Sequence, residues 1–134
     1  MLEHNAFVNS VESQITRVLD PREWAEIVRP YAKPGEDRRP TLDWPRSVPF
    51  DGDDTPLRAK LENQADWMAK NALPKLHFAG LPGEVVLVGG RRRDTIDTFA
   101  NMTTVEVLGK HWTPLDDPHA MGKGLAEWLP TLHR

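Results

Sequence analysis

The sequence predicts an α/β fold, and three observations carry that expectation. Lys75-Leu76-His77-Phe78-Ala79-Gly80 and Thr103-Thr104-Val105-Glu106-Val107-Leu108 are short strand-like runs, the second rich in β-branched residues. Between them, Asp94 to Asn101 suits a short helix through Ile96 and Phe99, and strand, helix, strand in so few residues implies a right-handed parallel crossover. From Pro118 to about Leu129, Met121, Leu125, Trp128 and Leu129 share one helical face, which predicts a helix packed on the same sheet. The order is therefore β-α-β-α.

The first half of the chain reads differently. Asp20 is a natural N-cap, Pro21 fits a first helical turn and Glu23 completes a capping box, so a helix is expected with Trp24, Ile27, Val28 and Tyr31 along its apolar face. Thr55-Pro56 is a second start signal, and Leu57, Leu61, Gln64 and Met68 form a stripe that runs to about Asn71. Between these helices prolines crowd into Pro30-Tyr31-Ala32-Lys33-Pro34-Gly35 and Pro40-Thr41-Leu42-Asp43-Trp44-Pro45-Arg46-Ser47-Val48-Pro49. Proline removes a donor and biases the residue before it towards extended geometry, so the segment from Pro34 to Gly52 is expected to be a winding, partly packed connection without a long helix.

Composition narrows the function classes. A chain of 134 residues suits one domain, and 39% hydrophobic with 28% charged residues leaves enough apolar surface for a core. A net charge of -3 gives no attraction to phosphate or anionic lipid, so neither nucleic acid nor membrane is an expected partner. The absence of cysteine removes disulfides, thiolate metal sites and cysteine nucleophiles. The first residues lack the pattern of a signal peptide and no run is long enough to span a bilayer, which makes the cytoplasm the expected compartment. Two strands alone do not make a self-sufficient parallel sheet, so further strands are expected upstream.

Ligands of open α/β sheets gather at the carboxyl ends of the strands, here Gly80-Leu81-Pro82-Gly83-Glu84-Val85 and Gly109-Lys110-His111-Trp112. His111, just beyond a strand end, is either a structural histidine or a general base that takes a proton from water or a hydroxyl. Glu84 is either a polar loop residue or the acid that orients such a base. Arg91-Arg92-Arg93 reads as a solvated helix start or as an anion or partner site. No Gly-x-Ser-x-Gly elbow, glycine-rich phosphate loop or His-Glu-x-x-His motif is present, and His4, His77, His119 and His133 are scattered, so no metal or organic cofactor is expected.

One string is more specific. Arg38-Arg39-Pro40-Thr41-Leu42-Asp43-Trp44-Pro45-Arg46-Ser47-Val48-Pro49 resembles the segment after the cap helices of haloalkane dehalogenases and of the related coelenterazine luciferase of the Renilla type. Asn5-Ala6-Phe7-Val8, Pro74-Lys75-Leu76-His77-Phe78, Pro82-Gly83, and Gly109-Lys110-His111-Trp112 followed by Asp116 and Pro118 agree in order, so the resemblance runs from about Asn5 to Leu129. It implies the C-terminal part of an α/β-hydrolase fold. Residues 1–72 would be a partial helical cap, the proline-rich connection and the helix after it, and residues 73–134 would be the β-α-β-α end of the hydrolase core.

The family chemistry implied by the resemblance is two-step hydrolysis. An aspartate displaces halide to give an alkyl-enzyme ester, and a histidine-activated water then cleaves that ester. His111 matches the family's base. Phe7, Val11, Ile15, Pro45, Val48, Glu84, Val85 and Trp112 match residues that line the pocket and tunnel, suited to a small haloalkane. The attacking aspartate, the halide-binding tryptophan and asparagine, and the triad acid of the most similar subfamily would precede this chain, so by itself it is expected to be inactive. Implied partners are a small haloalkane and halide in a complete form, together with a complementing N-terminal part or further copies of the chain. Water is the only co-reactant. Pro114-Leu115-Asp116 stands where relatives carry Gln-Glu-Asp, which changes the hydrogen bonding of the histidine loop. Glu12, Ser13 and Gln14 make the cap entrance more polar than is usual, and Glu84 would set a carboxylate against an apolar pocket that raises its pKa.

Overall fold

The computed structural model describes residues 1–50, 52–53, 55–83 and 96–133. Contacts divide the chain into two compact units: residues 1–13 with 17–60, and residues 14–16 with 61–134.

The first unit is helical. A short helix, α1 (Ala6–Asn9), follows Asn5, whose left-handed backbone (φ 49°) turns the chain. Helix α2 (Pro21–Val28) begins with the expected capping box: the Asp20 carboxylate accepts from the Arg22 amide at 2.8 Å and Glu23 Oε2 accepts from the Asp20 amide at 2.8 Å. It ends earlier than the apolar spacing suggested, since Pro30 cannot continue the ladder, and Arg29–Tyr31 form a tighter 3-10 turn.

The proline-rich connection departs from expectation. A 3-10 turn at Glu36–Arg38 leads into a nine-residue α-helix, α3 (Arg39–Ser47). Two of its prolines are tolerated for positional reasons. Pro40 lies in the first turn, where its missing N–H had no helical acceptor, and Pro45 lies near the end, where it removes a single bond. The helix stops two residues later, with Val48 extended (φ -71°, ψ 121°) before Pro49.

Arg38 holds this unit together. It is buried, and its guanidinium donates to four backbone carbonyls: Tyr31 at 2.8 Å, Leu2 at 3.0 Å, Glu3 at 2.6 Å and Ala32 at 3.0 Å. The planar fork can serve acceptors on two separated segments at once, which a flexible ammonium does less well. Val8 and Val11 are the buried apolar residues of the same unit among the described residues.

The helix signalled by Thr55-Pro56 is α4 (Pro56–Lys70), with Thr55 Oγ1 accepting from the Arg58 amide at 3.2 Å. None of its residues is buried, and Leu57, Leu61 and Trp67 are exposed. Strands β1 (Lys75–Pro82) and β2 (Met102–Gly109) pair in parallel, in register from Lys75 opposite Met102 to Pro82 opposite Gly109. Among the described residues the sheet has these two strands. The crossover helix expected over Asp94 to Asn101 lies partly outside the described residues; Ile96–Asp97 are helical, but Thr98 to Asn101, Phe99 included, form turns and a bend in place of the expected helix.

Lys75 closes the amino end of the sheet. Its buried ammonium donates to the carbonyls of Asn71, Leu73 and Ala100 at 2.5, 2.9 and 2.7 Å. The chain then turns at the carboxyl end of β2 into a short helix, α5 (Thr113–Asp116), and into α6 (Pro118–Trp128). Helix α6 packs on the sheet as predicted, but through a different residue. Gly124 is the buried position, and a Cβ there would come within 3.0 Å of the Phe78 ring and 3.2 Å of Val105. Leu125 and Leu129, assigned to the packing face from their spacing, are 43% and 46% exposed. No helix among the described residues is long and apolar enough to cross a membrane.

Candidate active site at the carboxyl end of the sheet

The turn that carries His111 is seated directly on the strand ends because two glycines make room for it. A Cβ on Gly80 would lie 2.5 Å from Thr113 Cγ2 and 3.0 Å from the Gly109 carbonyl, and one on Gly109 would lie 2.8 Å from the same methyl and 3.1 Å from Thr113 Cα. Thr113 thus drops between the ends of β1 and β2. Pro114 sits at the start of α5, where no N–H is needed, and the turn closes through amides of Leu115 and Asp116 that both donate to the Trp112 carbonyl, at 2.8 and 3.2 Å. The Pro114-Leu115-Asp116 sequence therefore forms a regular helical turn.

Asp116 is the buried acid of this region. Its Oδ1 accepts from the Thr16 amide at 2.6 Å, and its Oδ2 accepts from the Lys110 amide at 2.9 Å and from the Thr16 hydroxyl at 3.2 Å. Beside it, the His111 amide donates to the Gln14 carbonyl at 3.2 Å. The backbone on either side of the His111 Cα is thereby tied to one segment, Gln14–Thr16, with Ile15 buried between the two contacts. The carboxylate of Asp116 serves main-chain donors, so it organises the turn.

The His111 ring is half-buried and stands edge-on to Trp112, with centroids 5.2 Å apart and planes at 90°. The Trp112 indole N–H is buried without a hydrogen-bond partner among the described residues. A partly exposed imidazole on a tethered backbone at the end of a parallel strand can accept a proton from a bound water, which is the geometry a general base requires.

The other sequence-predicted site residues fall in three places. Ile15 lies in the unit that holds His111 and Trp112. Phe7, Val11, Pro45 and Val48 lie in the other unit, where Phe7 meets Trp44 edge-on at 6.1 Å, Val11 is buried, Pro45 is half-buried in α3 and Val48 is 45% exposed. Glu84 and Val85, with Arg91-Arg92-Arg93, lie outside the described residues. Sequence reasoning missed the partners that fix the turn, namely Gln14, Thr16, Thr113, Gly80 and Gly109, and saw Asp116 only as part of a familiar string. An acid two residues before Pro118 was a usable hint, but Asp117 reads equally well there and is in fact the cap of α6, accepting from the Ala120 amide at 3.1 Å.

Two parallel strands, a histidine turn at their carboxyl ends and a helix packed on them are consistent with part of an α/β-hydrolase fold, and solved structures place the chain in that fold. The crystal structure of a haloalkane dehalogenase from Bradyrhizobium elkani superposes with a TM-score of 0.84 at 29% identity, covering 97% of this chain and 45% of that one. In sequence the chain matches the C-terminal part of haloalkane dehalogenases. It is 35% identical to the haloalkane dehalogenase of Mycolicibacterium smegmatis over 132 residues, 96% of this chain and 42% of that protein. It is also 35% identical to the coelenterazine h 2-monooxygenase of Renilla reniformis over 134 residues, again 42% of that protein. The chain thus spans less than half the length of the curated relatives it matches. No protein-family model matches it.

Proposed function

We propose that this chain supplies the base-bearing part of a hydrolase that cleaves carbon–halogen bonds of small haloalkanes, with His111 as general base. The observation that carries this reading is the tethered, partly exposed imidazole beyond the end of β2, in a chain similar to haloalkane dehalogenases over 96% of its length. In the first step a carboxylate nucleophile, supplied by a part carrying the remaining strands, displaces halide from carbon and forms an ester. In the second, His111 takes a proton from water as the oxygen attacks the ester carbonyl. The tetrahedral adduct collapses, the alcohol leaves with the proton returned through the imidazole, and the acid so formed gives up its remaining proton to solvent, which restores the carboxylate and releases one proton for each halide. Triad members act as a unit, so His111 without the nucleophile does not turn over substrate. In this reading residues 1–72 are partial cap, proline-rich connection and the helix after it, and residues 73–134 are the end of the hydrolase core. Taken each within its own unit, Ile15, Trp112, Glu84 and Val85 in the one and Phe7, Val11, Pro45 and Val48 in the other are proposed as substrate-lining residues.

The deciding experiment is halide release from 1,2-dibromoethane or 1-bromobutane by the chain, with and without an N-terminal dehalogenase half, and with a His111→Ala control. Release only in the complemented sample, lost in the control, supports the proposal. No release in any sample favours a non-catalytic interaction module. The equal identity to the Renilla monooxygenase supports a second reading, an oxygenase acting on coelenterazine, which the same samples test by light emission with that substrate.

A further inference from the structure

We propose that Asp116 is the positioning residue of the histidine turn, coupling the placement of the His111 ring to the Gln14–Thr16 segment; its catalytic meaning rests on His111 being the base. The carboxylate is buried and binds both sides of the coupling. Toward the turn, Oδ2 accepts from the amide of Lys110, the residue before His111, at 2.9 Å. Toward the segment, Oδ1 accepts from the Thr16 amide at 2.6 Å and Oδ2 from the Thr16 hydroxyl at 3.2 Å. The His111 amide completes the circuit by donating to the Gln14 carbonyl at 3.2 Å. Asp116 and Thr16 are 100 residues apart in sequence, so no local propensity holds them together.

A carboxylate is the group that satisfies this site. The Thr16 and Lys110 amides and the Thr16 hydroxyl are among the donors that converge on its two oxygens, and an ionised carboxylate accepts at both. An amide of the same shape turns its NH2 toward either the Thr16 or the Lys110 amide, setting donor against donor and leaving one buried N–H without an acceptor. Movement of Gln14–Thr16 is therefore transmitted to the backbone of His111 through two parallel contacts, and the position of the base depends on that segment being seated.

The test reads the histidine rings by NMR in the full chain. The edge-on Trp112 ring at 5.2 Å gives the His111 ring protons a ring-current displacement that exposed His119 lacks. In Asp116→Asn the His111 signals move toward those of His119 while His77 and His119 stay in place. Thr16→Pro, which deletes both Thr16 donors in a bend outside any helix or strand, moves His111 in the same direction. Thr16→Ser keeps both donors and leaves the spectrum as in the parent. In chain complemented for turnover, Asp116→Asn lowers kcat by about ten- to a hundred-fold with KM nearly unchanged, the effect of misplacing a base. Unmoved His111 signals in a folded Asp116→Asn or Thr16→Pro chain would overturn the proposal. So would simultaneous collapse of every histidine signal in both, which would assign Asp116 to general stability. Because the spectra need no turnover, they decide the coupling even if halide release shows that His111 is not the base.

Discussion

Arg38 and Lys75 direct buried positive charge at backbone carbonyls, four for the guanidinium and three for the ammonium. Each closes an irregular stretch whose carbonyls have no sheet or helix to accept from, and burial without such acceptors would be costly. Arg38→Ala takes the guanidinium from four carbonyls on two segments, of which Leu2 keeps the Gly35 amide at 3.3 Å and Tyr31 the Asn5 side-chain amide at 3.5 Å. We expect a loss of about 3 kcal/mol or more in urea unfolding, with Arg38→Lys intermediate because one ammonium replaces a fork. An Arg38→Ala chain as stable as the parent would show that water replaces the guanidinium. Glycine has the opposite use at Gly80 and Gly109, where the absent Cβ admits Thr113. Gly80→Ala should cost about 1–3 kcal/mol as overpacking does, and Thr113→Ser in the same chain should restore part of it by removing the Cγ2 that the new methyl meets first. Equal losses with and without Thr113→Ser would place the strain in the Gly109 and Lys110 carbonyls instead.

At the level of elements, α2 carries a pH dependence. Glu23 accepts a bidentate pair from Arg17 at 2.6 and 2.8 Å and also the Asp20 amide, and these hydrogen bonds, that from Arg17 first, lower its pKa from 4.5 to about 2. A depressed carboxylate stabilises the fold fully above its unfolded value and loses that contribution as pH falls from about 4.5 through about 2. Amide exchange in α2 should therefore accelerate over that window, and Glu23→Gln should flatten the response. An unchanged profile would show that the pair is too well solvated to matter. Helix α6 offers a contrast between two glycines two residues, or about half a turn, apart. Gly122 meets nothing within 4 Å, so Gly122→Ala should stabilise by about 1 kcal/mol through helix propensity. Gly124 faces Phe78 and Val105, so Gly124→Val should destabilise by about 1–3 kcal/mol. Thermal unfolding of the two variants with the same sign would refute the packing assigned to α6.

At the scale of the whole molecule, the buried apolar residues among those described are Val8, Val11, Ile15, Ala79 and Val107, while α4 exposes Leu57, Leu61 and Trp67. So little buried apolar surface among the described residues points to small stability, because hydrophobic burial is the main term opposing chain entropy. We expect the chain alone to unfold with less than about 5 kcal/mol and to bind a hydrophobic dye, and both properties to change on addition of an N-terminal dehalogenase half. A chain that unfolds cooperatively with high stability and ignores that half would argue against complementation.

The signals that were legible in the sequence are local ones. Asp20 and Glu23 are three residues apart, Thr55 caps the helix it begins, and short strand-like runs mark both strands, the second rich in β-branched residues, so each element declares itself within a few residues. The strings around His111 and around Pro40 to Pro49 carried the family likeness in the same way. Even there, proline misled, since α3 tolerates Pro40 and Pro45 at positions where helix bonds are few. What only the tertiary structure decided is which distant groups meet: Asp116 with Thr16, Arg38 with Leu2 and Glu3, Lys75 with Ala100, and Thr113 between Gly80 and Gly109. These contacts have no period and no fixed spacing. They exist because buried polar groups must be paired wherever the fold happens to bring a partner, and that requirement is met in space and not along the chain.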